Sequence, residues 1–159
     1  MDMDADVSVA LSANHIRVEG TDLRFTSKLI DGKFPDYQRV LPKSTDKVVL
    51  SDKDAMKQCF SRVAILSNEK YRGVRLRLER SSLTTVANNP EQEEAEETIN
   101  VDYDGTELEI GFNVNYLLDV MNVVRSEQVK IQLSDSNSSA LVTDANDESA
   151  LYVVMPMRL

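Results

Sequence analysis

The 159-residue sequence holds one histidine, His15, and one cysteine, Cys59, so the side chains that most often serve as base, nucleophile or metal ligand occur once each. His15 opens a predicted strand near the beginning of the chain and has no partner for acid–base work. Cys59 falls on the apolar stripe of a predicted helix, where a packed thiol is the expected role. As the only cysteine it excludes an internal disulfide and suits a reducing compartment. No Cys/His cluster has metal-ligand spacing, and the five glycines form no phosphate-binding motif. Asp135-Ser136-Asn137-Ser138-Ser139 resembles a calcium loop only superficially, and a hairpin turn explains it better. The sequence therefore predicts no catalytic residue, no metal site and no cofactor.

Charge is the chemistry the chain does offer. Residues 53–80 hold eight cations, Lys53, Lys57, Arg62, Lys70, Arg72, Arg75, Arg77 and Arg80, against the anions Asp54, Glu69 and Glu79. That stretch is near +5 inside a chain of net charge −9, so the remainder is near −14. An ordinary high-affinity DNA binder would show a basic domain, which this is not. One basic face can still be offered to a polyanion while the acidic remainder keeps the protein in solution. The plainer alternative is a solvated face. Its counterpart is residues 88–97, NNPEQEEAEE, with five glutamates in the seven residues after Pro90. Such a run reads as a solvated loop, or as an acidic surface for a cationic neighbour on another subunit.

The element that must position the cations is a helix within residues 51–78, SDKDAMKQCFSRVAILSNEKYRGVRLRL. Ser51 is the predicted N-cap, with Asp54 at capping-box spacing. Met56, Cys59, Phe60, Val63 and Leu66 recur at three and four and make one apolar stripe, leaving Lys53, Lys57 and Arg62 on the other side. After the turn at 67–70, Val74, Leu76 and Leu78 alternate with Arg75 and Arg77 as in a half-buried strand.

Around this unit the chain divides in order. Residues 7–11, 15–19 and 23–29 read as three strands, with Gly20-Thr21-Asp22 as a turn. Three strands without a helix make a poor independent domain. Residues 31–43, DGKFPDYQRVLPK, read as a strap whose Phe34, Tyr37, Val40 and Leu41 are apolar enough to pack against something. The rest is a duplication. Strand 47–50, the helix, and strands 74–78, 83–87 and 97–103 are matched by strand 108–111, a helix from Asn113 with Tyr116, Leu117, Val120, Met121 and Val124 as its stripe, and strands 129–133, 140–143 and 151–155. SLTTVANN at 82–89 faces SALVTDAN at 139–146. Two strand-helix-three-strand units with two helices packed on antiparallel sheets predict an α+β fold. The 42% hydrophobic and 28% charged content is that of a soluble globular protein, and no apolar run is long enough to span a membrane.

FTSKLIDGKFPDYQRVLPK at 25–43, AILSNEKYRGVRL at 64–76, ANNPEQEEAEE at 87–97, IGFNVNYLLDV at 110–120 and YVVMPMRL at 152–159 closely resemble the C-terminal part of the bacterial DNA polymerase III beta subunit, the replicative sliding clamp. The resemblance implies a DNA-clamp fold, with residues 1–37 as the last strands of an incomplete second domain and the connection, and 38–159 as the third domain. It also implies a non-enzymatic processivity factor that pairs head to tail as a ring dimer around duplex DNA in the bacterial cytoplasm, at the nucleoid and not on a membrane. Its partners would be the polymerase III alpha subunit, the clamp loader and other proteins with clamp-binding motifs.

By the same resemblance three sets of residues have roles. Lys53, Lys57, Arg62, Lys70, Arg72 and Arg125 would face DNA, loosely and without sequence choice. Pro35, Arg39, Val40, Asn113, Tyr116, Val153, Met155, Pro156, Met157 and Arg158 would line a cleft for short apolar peptides, a suitable set because Met, Val and Pro make an adaptable groove. Read from the residues alone, Val153 and Met155 are core positions of a last strand. Ile65, Leu66, Glu91, Glu93, Glu94, Glu96 and Glu97 would form the subunit interface. The first domain and most of the second lie outside this sequence, so the alternative is a shortened clamp or adaptor that binds such peptides without encircling DNA.

Overall fold

The computed structural model describes residues 6–34, 36–42 and 44–159. The chain divides into two units, Met1–Asp36 and Tyr37–Leu159. In the first, β1 (Ser8–Leu11), β2 (His15–Glu19) and β3 (Arg24–Lys28) form an antiparallel meander. The turn before β3 closes with Gly20 N–H donating to Leu23 O at 2.8 Å. No described residue of this unit is buried, and Val9, Leu11 and Phe25 are all more than half exposed. In the strap, Phe34 and Tyr37 are also exposed, contrary to the packing expected of them, whereas Val40 and Leu41 are half-buried. Tyr37–Arg39 forms a short 3-10 turn closed by Val40 N–H on Tyr37 O at 3.0 Å.

The second unit runs β4 (Lys47–Asp52), α1 (Lys53–Val63), β5 (Gly73–Glu79), β6 (Ser82–Asn88), β7 (Glu94–Asn100), β8 (Leu108–Asn113), α2 (Val114–Val123), β9 (Gln128–Leu133), β10 (Ala140–Asp144) and β11 (Leu151–Val154). The duplication is visible as two identical orders of elements. Each half gives its first strand to the other's sheet: the sheets are β7-β6-β5-β8 and β11-β10-β9-β4, all antiparallel. β4 pairs β9 from Lys47 opposite Leu133, and β8 pairs β5 from Leu108 opposite Leu78. This exchange closes the two halves into one body, because neither sheet is complete without the other half.

Both helices pack against each other and against the inner faces of the sheets. The core between them holds Met56, Phe60, Val74, Leu78, Leu83, Ile110, Phe112, Leu117, Met121, Ile131 and Leu133. Strand alternation supplies it: on β5, Val74, Leu76 and Leu78 are buried while Gly73, Arg75 and Arg77 share the outer face.

Three local expectations are corrected. The N-cap of α1 is Asp52, whose Oδ1 accepts from Ala55 N–H at 2.7 Å, and Ser51 is a buried strand residue. Tyr116 lies off the α2 stripe, 59% exposed, and Val114, two residues earlier, takes the buried place. Residues 94–97 are strand, not loop: β7 begins at Glu94, and a tight turn precedes it, with Asn89 Oδ1 accepting from Glu93 N–H at 2.9 Å and Gln92 at φ 65°. The glutamates hide a period-two pattern in which Ala95, Glu97 and Ile99 face inward and Glu94, Glu96 and Thr98 outward.

Candidate functional site

The cationic face of α1 follows from its apolar one. With Met56, Cys59, Phe60 and Val63 in the core, Asp54, Lys57, Gln58, Ser61 and Arg62 line a shallow depression on the opposite side. Lys53 and Lys57 are half-buried along their stems, as long cationic side chains on a helix surface are. The nearest carboxylate to Lys53 Nζ is Asp54 Oδ1 at 3.8 Å, a loose contact. No ion pair engages Lys57 among the described residues.

Arg62 differs. Its Nε donates to Glu97 Oε2 at 2.8 Å and its Nη2 to Glu97 Oε1, a two-pronged clamp between α1 and β7. The hydrogen bonds from Arg62 hold the Glu97 carboxyl below its ordinary range, and the same bonds push Arg62 up. One residue expected to face DNA and one expected at a subunit edge therefore satisfy each other inside the chain.

Lys70 and Arg72 lie beyond the C-terminal end of α1 and are carried to the start of α2. Asn68 Oδ1 accepts from the N–H groups of Lys70 and Tyr71, both at 2.9 Å, bending residues 68–71 into a turn. Arg72 takes φ 50°, its carbonyl accepts from Val114 N–H at 2.8 Å, and Asn113 Nδ2 donates to Tyr71 O at 3.2 Å. Lys70 Nζ stands 5.1 Å over the Tyr71 ring. Arg72 therefore lies beside the first residues of α2, its carbonyl on Val114 N–H and its Nε 3.5 Å from Asn115 Oδ1. Arg125 is exposed just after α2, with its backbone N–H on Asp144 Oδ2 at 3.2 Å. Hydrogen bonds from Ser126, with those from the N–H groups of Asn146 and Arg125, hold Asp144 far below the usual carboxylate range.

Of the residues expected to line a peptide cleft, Pro35 lies outside the described residues. Asn113 caps α2, its Oδ1 accepting from Asn115 N–H at 2.9 Å, and Tyr116 projects from the first turn. On β11 the core position is Val154; Val153 is half-buried and Met155 is 62% exposed, so neither is the core residue that their place in a last strand suggested. Pro156 and Met157 are half-buried, Arg158 is exposed, and Met157 N–H donates to Gly111 O at 2.9 Å. That bond lays residues 157–159 along the outer face of β8, on which Asn113 also lies. Met157 and Arg158 border Gly73, Arg75 and Leu159 there, and Asn113 stands opposite Gly73 across the β5–β8 pair. Arg39 and Val40 sit in and after the 3-10 turn described above.

Ile65 and Leu66 form a 3-10 turn after α1, with Ile65 76% exposed. They border the same depression as Pro90, Glu91 and Glu93, so the apolar and acidic parts of the expected interface meet. Glu94 and Glu96 point outward from β7, which is an edge of its sheet. Tyr71, Gly73, Gly111 and Leu159, which stand beside Met157 and Arg158, are not singled out by the sequence; the glycine ending predicted strand 108–111 and the one just before predicted strand 74–78 were the available signal, since glycine in a strand marks close backbone approach. Among the described residues no group of acidic, histidine or cysteine side chains is placed to hold a metal ion, and no helix is long and apolar enough to cross a membrane.

Residues 38–158 match the family profile for the DNA polymerase III beta subunit, C-terminal domain, and residues 1–36 that for its central domain. The chain is 61% identical over 158 residues to a beta sliding clamp of Pseudomonas putida, covering 99% of this chain and 43% of the relative. It is 56% identical over 156 residues to that of Escherichia coli, covering 98% of this chain and 43% of the relative. A crystal structure of the DNA polymerase III subunit beta from Pseudomonas aeruginosa superimposes with a TM-score of 0.93 at 58% identity, over 100% of this chain and 44% of that one. A sliding clamp of the same organism bound to griselimycin gives 0.89 at 58% identity, over 100% and 43%. The chain thus spans less than half the length of these relatives.

Proposed function

Because the chain belongs to the DNA polymerase III beta subunit family, the beta sliding clamps, we propose that it acts as part of a DNA polymerase processivity factor. Residues 1–37 then supply the last strands of the central domain and the connection, and 38–159 the C-terminal domain. The role is non-enzymatic: tethering the polymerase and other replication proteins to duplex DNA in the bacterial cytoplasm. The observation that carries the reading is the identity of 61% over 99% of the chain to a beta sliding clamp.

In this reading Lys53 and Lys57 hold phosphates loosely, with Arg125 beside α2, and enclosure rather than affinity retains the DNA. Arg62 contributes less, because Glu97 already neutralises it. Asn113, Tyr116, Val153, Met155, Pro156, Met157 and Arg158, with Pro35, Arg39 and Val40, receive apolar peptides of the alpha subunit, the clamp loader and similar partners. Griselimycin, bound by the Pseudomonas aeruginosa clamp, is expected to bind the same surface. Ile65, Leu66 and the glutamates 91, 93, 94 and 96 form the edge that meets the next subunit of the ring.

Light scattering of the chain with and without circular duplex DNA tests this. An assembly that stays on a circle and is lost on linearisation supports ring closure by this chain. A monomer that binds the alpha-subunit peptide but not DNA favours the adaptor reading, and a chain that binds neither overturns both.

A further inference from the structure

Two glycines face outward from adjacent strands of one sheet: Gly73 on β5, opposite Asn113, and Gly111 on β8, opposite Arg75. Glycine inside a strand is unfavourable unless backbone conformation or close approach demands it. Conformation does not demand it here, because the only glycine with positive φ among the described residues is Gly32. Space does. A Cβ at Gly73 would overlap Leu159 Cδ2, and a Cβ at Gly111 would stand 2.5 Å from Met157 O and 3.0 Å from Leu159 Cδ1 and Cγ. The two missing side chains leave a slot that receives the tip of Leu159, while Met157 N–H donates to Gly111 O at 2.9 Å. Leu159 remains 56% exposed, so it is seated by its tip and not buried.

We propose that Leu159, seated over Gly73 and Gly111, is the anchor that fixes the path of residues 155–159, and that these three are positioning residues for apolar-peptide docking on Met155, Pro156 and Met157. The proposal rests on the peptide-binding reading given above. Its logic is entropic. Residues 155–159 have no strand partner, and an apolar wall made of a mobile segment would have to be ordered by each peptide it binds. One hydrogen bond and one seated leucine order it in advance. The two glycines are not equivalent: the clash at Gly73 is with the end of a flexible side chain, which can turn aside, whereas that at Gly111 is with a backbone carbonyl, which moves only if the segment lifts.

The test compares Gly111→Ala, Gly73→Ala, Leu159→Ala and Leu159→Met in the full chain. Three readouts are taken: hydrogen exchange at the Met157 amide, binding of the fluorescein-labelled clamp-binding peptide of the polymerase alpha subunit, and thermal unfolding. Gly111→Ala is expected to speed Met157 exchange and weaken the peptide about tenfold without lowering the unfolding midpoint, since alanine suits a strand better than glycine. Gly73→Ala and Leu159→Ala should do the same to a smaller extent, and Leu159→Met should restore both. Leu159→Ala alters no strand, so it keeps the test valid if a glycine variant misfolds. Unchanged Met157 exchange in both Gly111→Ala and Leu159→Ala would overturn the anchor. Faster exchange with unchanged peptide affinity would overturn the positioning role. If the unsubstituted chain binds no peptide, the docking reading itself fails, while the exchange data still report whether the anchor exists.

Discussion

Aligning the caps Asp52 and Asn113 lays α1 on α2 position by position. Met56, Cys59, Phe60 and Val63 fall on Leu117, Val120, Met121 and Val124, and all eight are buried. Lys53, Lys57 and Arg62 fall on Val114, Leu118 and Val123. The buried stripe is equivalent in hydrophobicity though not in identity, and α2 widens it with buried Val114 where α1 has Lys53; the remaining outer face of α2 carries no cation and exposes Tyr116 and Val123. The same backbone problem has been solved twice, since a helix must cover a four-stranded sheet that borrows its last strand from the other half. Only the surfaces left over were free to diverge into a basic face on α1 and a polar-aromatic one on α2. The two helices are therefore alike on the faces that build the fold and different on the faces turned away from it.

The largest test of this equivalence is in the core. Phe60→Ala and Met121→Ala remove side chains that are 0% and 1% exposed at matched positions. Losses of about 3–5 and 2–5 kcal/mol respectively are expected in urea unfolding. Because the halves share both sheets, each variant should unfold the second unit in one transition; separate transitions for the two halves would contradict the strand exchange. At the caps, Asp52→Ala should cost about 1 kcal/mol. Asn113→Ala should cost more, because its side chain also donates to Tyr71 O and so ties the 68–72 turn to α2. Equal losses at the two caps would mean that this second bond contributes nothing.

Acid titration separates the halves differently. Position 144 is matched by Ala87, which is buried, so the first half has no counterpart to the Asp144 clamp. Hydrogen bonds from Ser126, Asn146 and Arg125 depress the folded pKa of Asp144. A depressed carboxyl contributes stability that is present above its unfolded pKa, near 4, and is lost as pH falls towards the folded value. The wild type is thus expected to lose stability below about pH 4 more steeply than Asp144→Asn. Parallel curves for the two proteins would assign the acid limb to other carboxylates.

Much of this was legible in the sequence, and the failures have physical causes. The duplication, both helices and the antiparallel strands are carried by apolar periodicity, which burial enforces. The α1 cap was misplaced by one residue because Ser51 and Asp52 are both good caps in isolation; what decides is that β4 continues through Ser51 into the sheet against β9. Residues 94–97 read as a loop because glutamates dominate them, yet an edge strand needs only one apolar face, and Ala95 and Ile99 supply it. Among the site residues, charge type was readable but pairing was not. Nothing local in the sequence says that Arg62 reaches Glu97, 35 residues on, since that contact exists only after β7 has joined the sheet under α1. Leu159 was invisible for the same reason, its slot being made by two glycines on strands that are neighbours only through the strand exchange.

The smallest expected effects concern the faces that diverged, and they sharpen the comparison most. If the outward side of α1 is used for DNA, each phosphate contact contributes roughly 0.9 to the slope of log affinity against log salt. Lys57→Gln should lower the slope for a duplex oligonucleotide by about that amount. Arg62→Gln should lower it by less, because Arg62 is already held by Glu97 and releases no counterion when it meets a phosphate unless that pair opens. Glu97→Gln should have the reverse effect, freeing Arg62 and steepening the slope. Val123→Lys puts a cation on α2 at the position matching Arg62, with no carboxylate known to clamp it. If both helices face the same polyanion, this substitution raises the slope by roughly the amount that Lys57→Gln removes. If it leaves the slope unchanged while Lys57→Gln lowers it, only α1 meets DNA. The loss of cations from α2 then reflects release from that contact rather than redistribution of charge between two helices that share it.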